Sequence, residues 1–357
     1  MVIEQYTIAT TPKYNFPQPI MDTMLPQQFT ELCLHSLKHR IQLNQHNIQQ
    51  VDSPQEFAQT PRLNPKPILL KPLHVENIVA AVDTSTIKIG DTNAGILIAV
   101  RGASVWKQNG NYRYTRIGPF IFHVTEENKS EVYSTLENAY FGTQKGSSRQ
   151  NAPNLLQTPT RIATLLERWL QKMLSKTVNN GLILFDGSLT SGSPDTPTRR
   201  MEEILAVARK RANIVLAFSK MTSLRVNGHL ITDLLPDHQP PYLLEADVAR
   251  PRPPVVLLGN IYVARLTREK FAFRVDIDKE IPPQMKIEAV EKLLGNDIFS
   301  QSYPETLRFA HILCTFTANE VLAMQHFVMR KFGLHVFNRP DMHRILFGPY
   351  GRGEAYS

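Results

Sequence analysis

The chain has 357 residues, 42% of them hydrophobic, enough for one large domain with additions or for two domains. Lys and Arg exceed Asp and Glu by 40 − 32 = 8, a balance that suits a polyanionic partner such as nucleic acid, although many basic proteins bind none. Cys33 and Cys314 are too few for a disulfide framework or a cysteine-based zinc site, and neither a signal-peptide pattern nor a run of ~20 apolar residues occurs, so a soluble cytoplasmic protein with no membrane partner is expected.

Residues 1–70 read as an extension. A Pro-rich start leads into one helical pattern, with Leu25, Phe29, Leu32, Leu37 and Ile41 recurring at three to five residues. A Gln-rich stretch punctuated by Pro54, Pro61, Pro65 and Pro67 follows and has linker composition. The main domain is expected over 76–325, with a basic tail over 326–357.

Ile78-Val79-Ala80-Ala81-Val82-Asp83 reads as a buried strand ending in an acid, and Gly90-Asp91-Thr92-Asn93 as a turn. Gly95–Val105 and Tyr112–Val124 are two further strands, and the Asn109-Gly110-Asn111 turn between them is a strong hairpin signal. Residues 125–160 are polar and irregular, with short helical pieces. A helix is expected from Pro159 to Lys176, its apolar stripe including Ile162, Leu166, Trp169 and Met173.

Gly181 then introduces Leu182-Ile183-Leu184-Phe185, a strand buried on both faces, closed by Asp186-Gly187-Ser188-Leu189. Asp186 falls at the strand's carboxyl end, where open α/β sheets place ligands, although Asp-Gly is also a common turn pair. A helix over 199–212 and a strand Ile214–Phe218 ending at Ser219-Lys220 come next. Val255–Leu266 and Phe271–Ile277 alternate like a second hairpin, and helices are expected over 284–294 and 303–331. Ser302-Tyr303-Pro304-Glu305 has the form of a capping box. No internal repeat is present. Three antiparallel strands followed by helix–strand–helix–strand is a mixed α/β order, and it resembles the RNase H-like arrangement, a mixed sheet flanked by helices that many nucleases use.

Phosphodiester cleavage by two metal ions needs carboxylates clustered around hard cations roughly 3.5–4 Å apart. Asp83 and Asp186 both interrupt apolar strands, and a buried carboxylate needs either a metal or a structural partner. Glu167 shares a helical stripe with the apolar Ala163, Leu170 and Leu174, and its alternative is an edge ion pair with Arg161 or Arg168. His311 lies in line with Leu307, Cys314 and Ala318, facing inward, as a ligand or as a satisfied core histidine. Tyr303 suits a boundary between buried and wet surface. Lys220 at a strand end either contacts a phosphate or is simply solvated. Arg199, Arg200, Lys210 and Arg211 give a basic helix face that suits nucleic acid. No P-loop, dinucleotide-binding glycine pattern or nucleophile elbow occurs.

Taken together, Ala81-Val82-Asp83, Leu184-Phe185-Asp186-Gly187-Ser188-Leu189, Phe273-Arg274-Val275-Asp276 and Tyr303-Pro304 with Ala310-His311 resemble the NurA nuclease family, in order and over about residues 76–325. The resemblance implies an RNase H-like fold and a DNase dependent on Mn²⁺ or Mg²⁺, with two ions. It implies action on single- and double-stranded DNA, with 5′-to-3′ exonuclease and single-strand endonuclease activity. A homodimer working with a HerA-type hexameric helicase in DNA end resection is also implied. Asp83 and Asp186 match the metal-binding aspartates and His311 the carboxy-terminal histidine, with Glu167 at the acidic helix position and Tyr303 near the site. Two departures stand out: Thr84 follows Asp83 where many members have glycine, and the long extension and basic tail are not core features. Two other readings remain open, a catalytically silent DNA-binding adaptor on a nuclease fold, and another RNase H-like enzyme such as a resolvase or RNA-cleaving nuclease.

Overall fold

In the computed structural model, which describes residues 62–141, 153–193, 196–247 and 253–337, the chain enters through two short strands, β1 (Arg62–Leu63) and β2 (Ile68–Leu69). The β-rich stretch after them makes β3 (Val79–Asp91), β4 (Gly95–Gln108) and β5 (Asn111–Thr125), each antiparallel to the next. Asn109 and Gly110 turn between β4 and β5 with φ of 51° and 76°, the positive values a two-residue hairpin demands. Helix α1 (Lys129–Phe141) and helix α2 (Thr158–Thr177) precede β6 (Leu182–Asp186). The two-residue β7 (Thr190–Ser191), helix α3 (Thr198–Lys210) and β8 (Ile214–Ser219) follow.

The second half adds β9 (Arg225–Val226), β10 (His229–Leu230), β11 (Tyr242–Asp247), β12 (Val256–Leu257), β13 (Gly259–Arg265) and β14 (Phe273–Asp278). It closes with α4 (Pro283–Asn296), β15 (Phe299–Ser300), β16 (Tyr303–Pro304), α5 (Glu305–Cys314) and α6 (Ala318–Phe332). The main sheet runs β1-β11-β13-β14-β8-β6-β3-β4-β5, with β2 also on β11. β6 is parallel to both β3 and β8, and the other pairings of this sheet are antiparallel. Strand order β5-β4-β3-β6-β8 with only the last two additions parallel is the RNase H-like topology expected from the sequence.

Alternation along the central strands feeds two cores. Ala81, Leu184 and Leu216 face α4 and α5, packing with Leu293, Leu307 and Ala310. Val82, Ile183 and Val215 face the other way, packing with Ile162 and Leu166 of α2 and Ile204 of α3. Because both faces are covered, β6 and β8 are apolar at nearly every position rather than at every second one. A third cluster joins Ile89, Leu97 and Ala99 to Met324 and Val328 of α6. Among the described residues no helix is long and apolar enough to cross a membrane.

Several local expectations change. The turn expected over Gly90–Asn93 comes slightly later: Gly90 and Asp91 still pair with Leu97 and Ile96 of β4, and the chain turns at Thr92–Gly95, where the Thr92 N–H donates to Gly95 O at 2.9 Å. The helix expected over 303–331 is two helices, parted at Thr315–Thr317, and Thr317 with Glu320 forms a true capping box for α6. The capping box expected at Ser302 does not form: the Ser302 hydroxyl meets Thr267, and Glu305 turns to Arg308. β11 was hidden from the sequence by the prolines before it. The expected 255–266 strand divides into β12 and β13, and Gly259 begins β13 because a Cβ there would lie 3.0 Å from that of Asp276 and 3.1 Å from that of Leu189.

Of the domain limits expected from sequence, β1 and β2 fall inside the 1–70 extension yet pair with β11, and α6 crosses residue 326 because Met324 and Val328 both pack inward. The helical pattern from Leu25 to Ile41, Cys33 and the tail beyond Phe337 lie outside the described residues.

Candidate active site

The parallel pairing of β3 with β6 sets Val79 beside Leu182, Ala80 beside Ile183 and Ala81 beside Leu184. Two residues further along the same register are Asp83 and Asp186, which therefore stand abreast and, by alternation, on one face. β6 ends there while β3 runs on, so the two carboxylates meet at the carboxyl end of a central strand. Gly187 then turns the chain with φ of 97°, and its N–H donates to Phe218 O at 2.8 Å. This left-handed conformation favours glycine and lets the chain leave the sheet immediately after the acid.

Each aspartate is gripped from another element. Asp83 is 7% exposed; its Oδ2 meets His311 Nδ1 of α5 at 2.8 Å, and its Oδ1 accepts from the Thr84 N–H at 2.7 Å. Lys220, just past β8, donates from Nζ to Asp186 Oδ2 at 2.7 Å, and the Tyr303 hydroxyl donates to Asp186 Oδ1 at 3.3 Å. Burial, then the charges of Asp186 and Asp83, push the Tyr303 phenol well above its ordinary range, so it remains a proton donor. Its ring is fixed edge-on against Phe218 and Phe273.

Glu167 of α2 lies near enough to feel the charges of both aspartates. Its side chain is 17% exposed, and Oε1 accepts from Gln171 Nε2 at 2.9 Å, with Arg168 Nη1 at 3.8 Å. Burial chiefly, against the pull of Arg168 and Lys220 and with the push of Asp83 and Asp186, raises its carboxyl to about 7. Burial, reinforced by the two aspartates, thus favours a proton on Glu167 that an isolated glutamate would release.

The chemistry of these donors suits a hard divalent cation, although Asp186 and Glu167 do not fall in the group whose ligand atoms lie closest together. Asp83, Asp186 and Glu167 offer oxygen, as Mg²⁺ and Mn²⁺ prefer, and His311 offers an imidazole that Mn²⁺ also accepts. Ligand atoms of Asp83, His311 and Cys314 lie within 4.8 Å of one another. Cys314 is fully buried, donates from Sγ to His311 O, and has its thiol pushed up by burial and by Asp83, which disfavours the thiolate a metal needs.

The structure therefore brings together Asp83, Asp186, Glu167, His311, Lys220 and Tyr303. His311 corrects one expectation. It does not face inward with Leu307 and Cys314: its side chain is 51% exposed and reaches Asp83 from the shoulder of the helix. The basic face of α3 also changes. Arg199, Lys210 and Arg211 are exposed, but Arg200 is buried, donates from Nη2 to Glu137 at 2.8 Å and stacks 4.1 Å from the Phe141 ring. Arg200 ties α1 to α3 and does not belong to a nucleic-acid surface.

Asp276 has a supporting place. It is fully buried, takes Arg274 Nε and Nη2 at 2.7 Å each, and accepts the Leu189 N–H at 3.0 Å. Burial raises its carboxyl above the ordinary range against the pull of Arg274. The late Phe273-Arg274-Val275-Asp276 strand thereby anchors the loop that follows Asp186.

No protein-family model matches the chain, and no curated protein matches it by sequence. Among solved structures, the chain is similar to the NurA nuclease from Sulfolobus solfataricus at 15% identity, over 87% of this chain and 98% of that one, with a TM-score of 0.47. It is similar to NurA bound to dAMP and manganese at 8% identity, over 73% and 90% of the two chains, with a TM-score of 0.42. An endonuclease V from Bacillus subtilis aligns at 11% identity over 74% and 88%, with a TM-score of 0.33.

Proposed function

We propose that this protein is a metal-dependent nuclease that hydrolyses phosphodiester bonds of DNA. The observation that carries the reading is the convergence of Asp83, Asp186 and Glu167 at the end of β6, with the Glu167 proton held up to about 7. Asp83, Asp186, Glu167 and His311 would hold Mn²⁺ or Mg²⁺, in one or two ions. When bound, such ions lower the pKa of water and offset charge on a phosphoryl oxygen.

The chain's own residues do the rest. Lys220 Nζ stands beside Asp186 on a side chain 43% exposed, placed to meet an incoming phosphate. Tyr303 remains protonated and orients Asp186. His311, engaged through Nδ1, keeps Asp83 turned toward the shared region.

The family resemblance of the Asp-Gly-Ser-Leu and Tyr-Pro…Ala-His motifs supports a finer version. In it the enzyme is a 5′-to-3′ exonuclease and single-strand endonuclease in DNA end processing, homodimeric and paired with a HerA-type helicase. Arg199, Lys210 and Arg211 would contribute to DNA binding. One observation favours a second reading, a silent DNA-binding adaptor: Asp83 and Asp186 already have partners in His311 and Lys220, so neither demands a metal.

Labelled single-stranded DNA, duplex DNA and RNA, incubated with Mn²⁺, Mg²⁺ or EDTA, separate these. Metal-dependent DNA cleavage lost in Asp83→Ala and Asp186→Ala is the expected result. Cleavage in EDTA, or cleavage surviving both substitutions, rejects the site. DNA binding without cleavage favours the adaptor, and degradation of RNA alone moves the choice to an RNA-cleaving enzyme.

A further inference from the structure

Gln171 lies one turn after Glu167 on α2, in the same stripe as the buried Leu170 and Leu174, and is itself 0% exposed. A buried amide in an apolar stripe is unfavourable unless both its ends are satisfied, and a leucine there would pack without that demand. Both ends of Gln171 are satisfied. Its Oε1 accepts from Arg168 Nη1 at 2.7 Å, and its Nε2 donates to Glu167 Oε1 at 2.9 Å.

The pairing fixes which way the amide points. A guanidinium only donates, so the amide oxygen must face Arg168 and the NH₂ must face the glutamate. Arg168 thus locks Gln171, and Gln171 holds one specific oxygen of Glu167. Among the described residues the other oxygen, Oε2, takes no hydrogen bond, and the turn of α2 just before Glu167 is tied to the residue beside Asp83, the Thr84 hydroxyl donating to Ala163 O at 3.2 Å.

We propose that Gln171, locked by Arg168, is a positioning residue that holds Glu167 by Oε1 so that Oε2 is presented to a divalent cation shared with Asp83 and Asp186. This rests on the metal-dependent reading of the site. Residues that orient metal ligands from behind typically change affinity or activity 10–100-fold when removed.

The test compares the full-length protein with Gln171→Met, which keeps length and apolar packing but neither donates nor accepts as an amide does. Free Mn²⁺ is measured by electron paramagnetic resonance during titration, and single-stranded DNA cleavage is followed against Mn²⁺ concentration. The expected result is a Mn²⁺ dissociation constant raised about 10-fold or more, with most of the wild-type rate restored at saturating Mn²⁺. In a Glu167→Gln background the same substitution should leave Mn²⁺ affinity unchanged, since the ligand it positions is gone.

Wild-type affinity in Gln171→Met overturns the inference while leaving the metal-dependent reading intact, as does equal weakening in the Glu167→Gln background. A wild-type chain that binds no Mn²⁺ overturns both. If circular dichroism shows Gln171→Met unfolded, Arg168→Leu takes its place; it frees the amide to turn over and should weaken Mn²⁺ binding in the same direction, and unchanged affinity there rejects the lock.

Discussion

Asp83 and Asp186 stand abreast across the parallel pairing of β3 and β6, and each is held by a residue from a distant part of the chain, His311 on the first and Lys220 on the second. The proposed chemistry turns on this pair.

Asp83→Asn and Asp186→Asn should each lower metal-dependent DNA cleavage by more than about 100-fold, with cooperative thermal unfolding retained. Single-turnover assays at saturating Mn²⁺ measure this. Rates above a tenth of wild type in both variants would remove the pair from the chemistry.

Lys220→Met should cost about 10²–10³ in the cleavage rate if its ammonium meets the phosphate. Its ion pair with Asp186 is partly exposed at both ends, so stability should move by less than about 1 kcal/mol. Parallel kinetics and urea denaturation distinguish a lost phosphate contact from a lost fold.

The Glu167 carboxyl sits at about 7 in the fold against 4.5 for a free glutamate, chiefly through burial. The folded chain therefore keeps a proton that the unfolded chain has released. That stabilisation is full below about 4.5 and fades as pH rises to about 7. In EDTA, Glu167→Gln should gain stability relative to wild type across this window, reaching about 1–3 kcal/mol at neutral pH. Urea titrations at several pH values check the sign, and a gap that narrows with rising pH would contradict it.

Asp276→Ala leaves the buried Arg274 guanidinium without its partner and frees the Leu189 N–H. Stability should fall by about 3–5 kcal/mol. Cleavage per folded molecule should fall as well, because the loop after Asp186 loses its anchor. Denaturation midpoints and active-site titration measure the two effects separately.

Arg200→Met should destabilise the fold and leave DNA affinity near wild type, since Arg200 is buried against Glu137 and Phe141. The triple change Arg199→Glu, Lys210→Glu and Arg211→Glu should do the reverse, weakening DNA binding and flattening its salt dependence. Fluorescence anisotropy at two salt concentrations reads both.

Local pattern carried much of this into view. The four apolar residues before Asp186 announce a strand covered on both faces, and the alternating runs around Asn109-Gly110 announce a hairpin, because period and turn chemistry act over a few neighbouring residues. Glu167 on an apolar helical stripe was legible for the same reason. β11 was not, since prolines surround it and two of its pairing partners, β1 and β2, lie far away in sequence.

What only the tertiary structure decided is how these pieces meet. The register of β3 against β6 put Asp83 beside Asp186, and the packing of α5 on β3 brought an exposed His311 onto Asp83. Arg200 and Arg199 are adjacent arginines on one helix, yet packing against α1 buried the first and left the second in solvent. The sequence by itself determined which residues have acidic, basic or apolar character and on which element each sits. Which of them share a site was decided by burial and pairing between distant elements, because those energies depend on contacts that no short window of sequence contains.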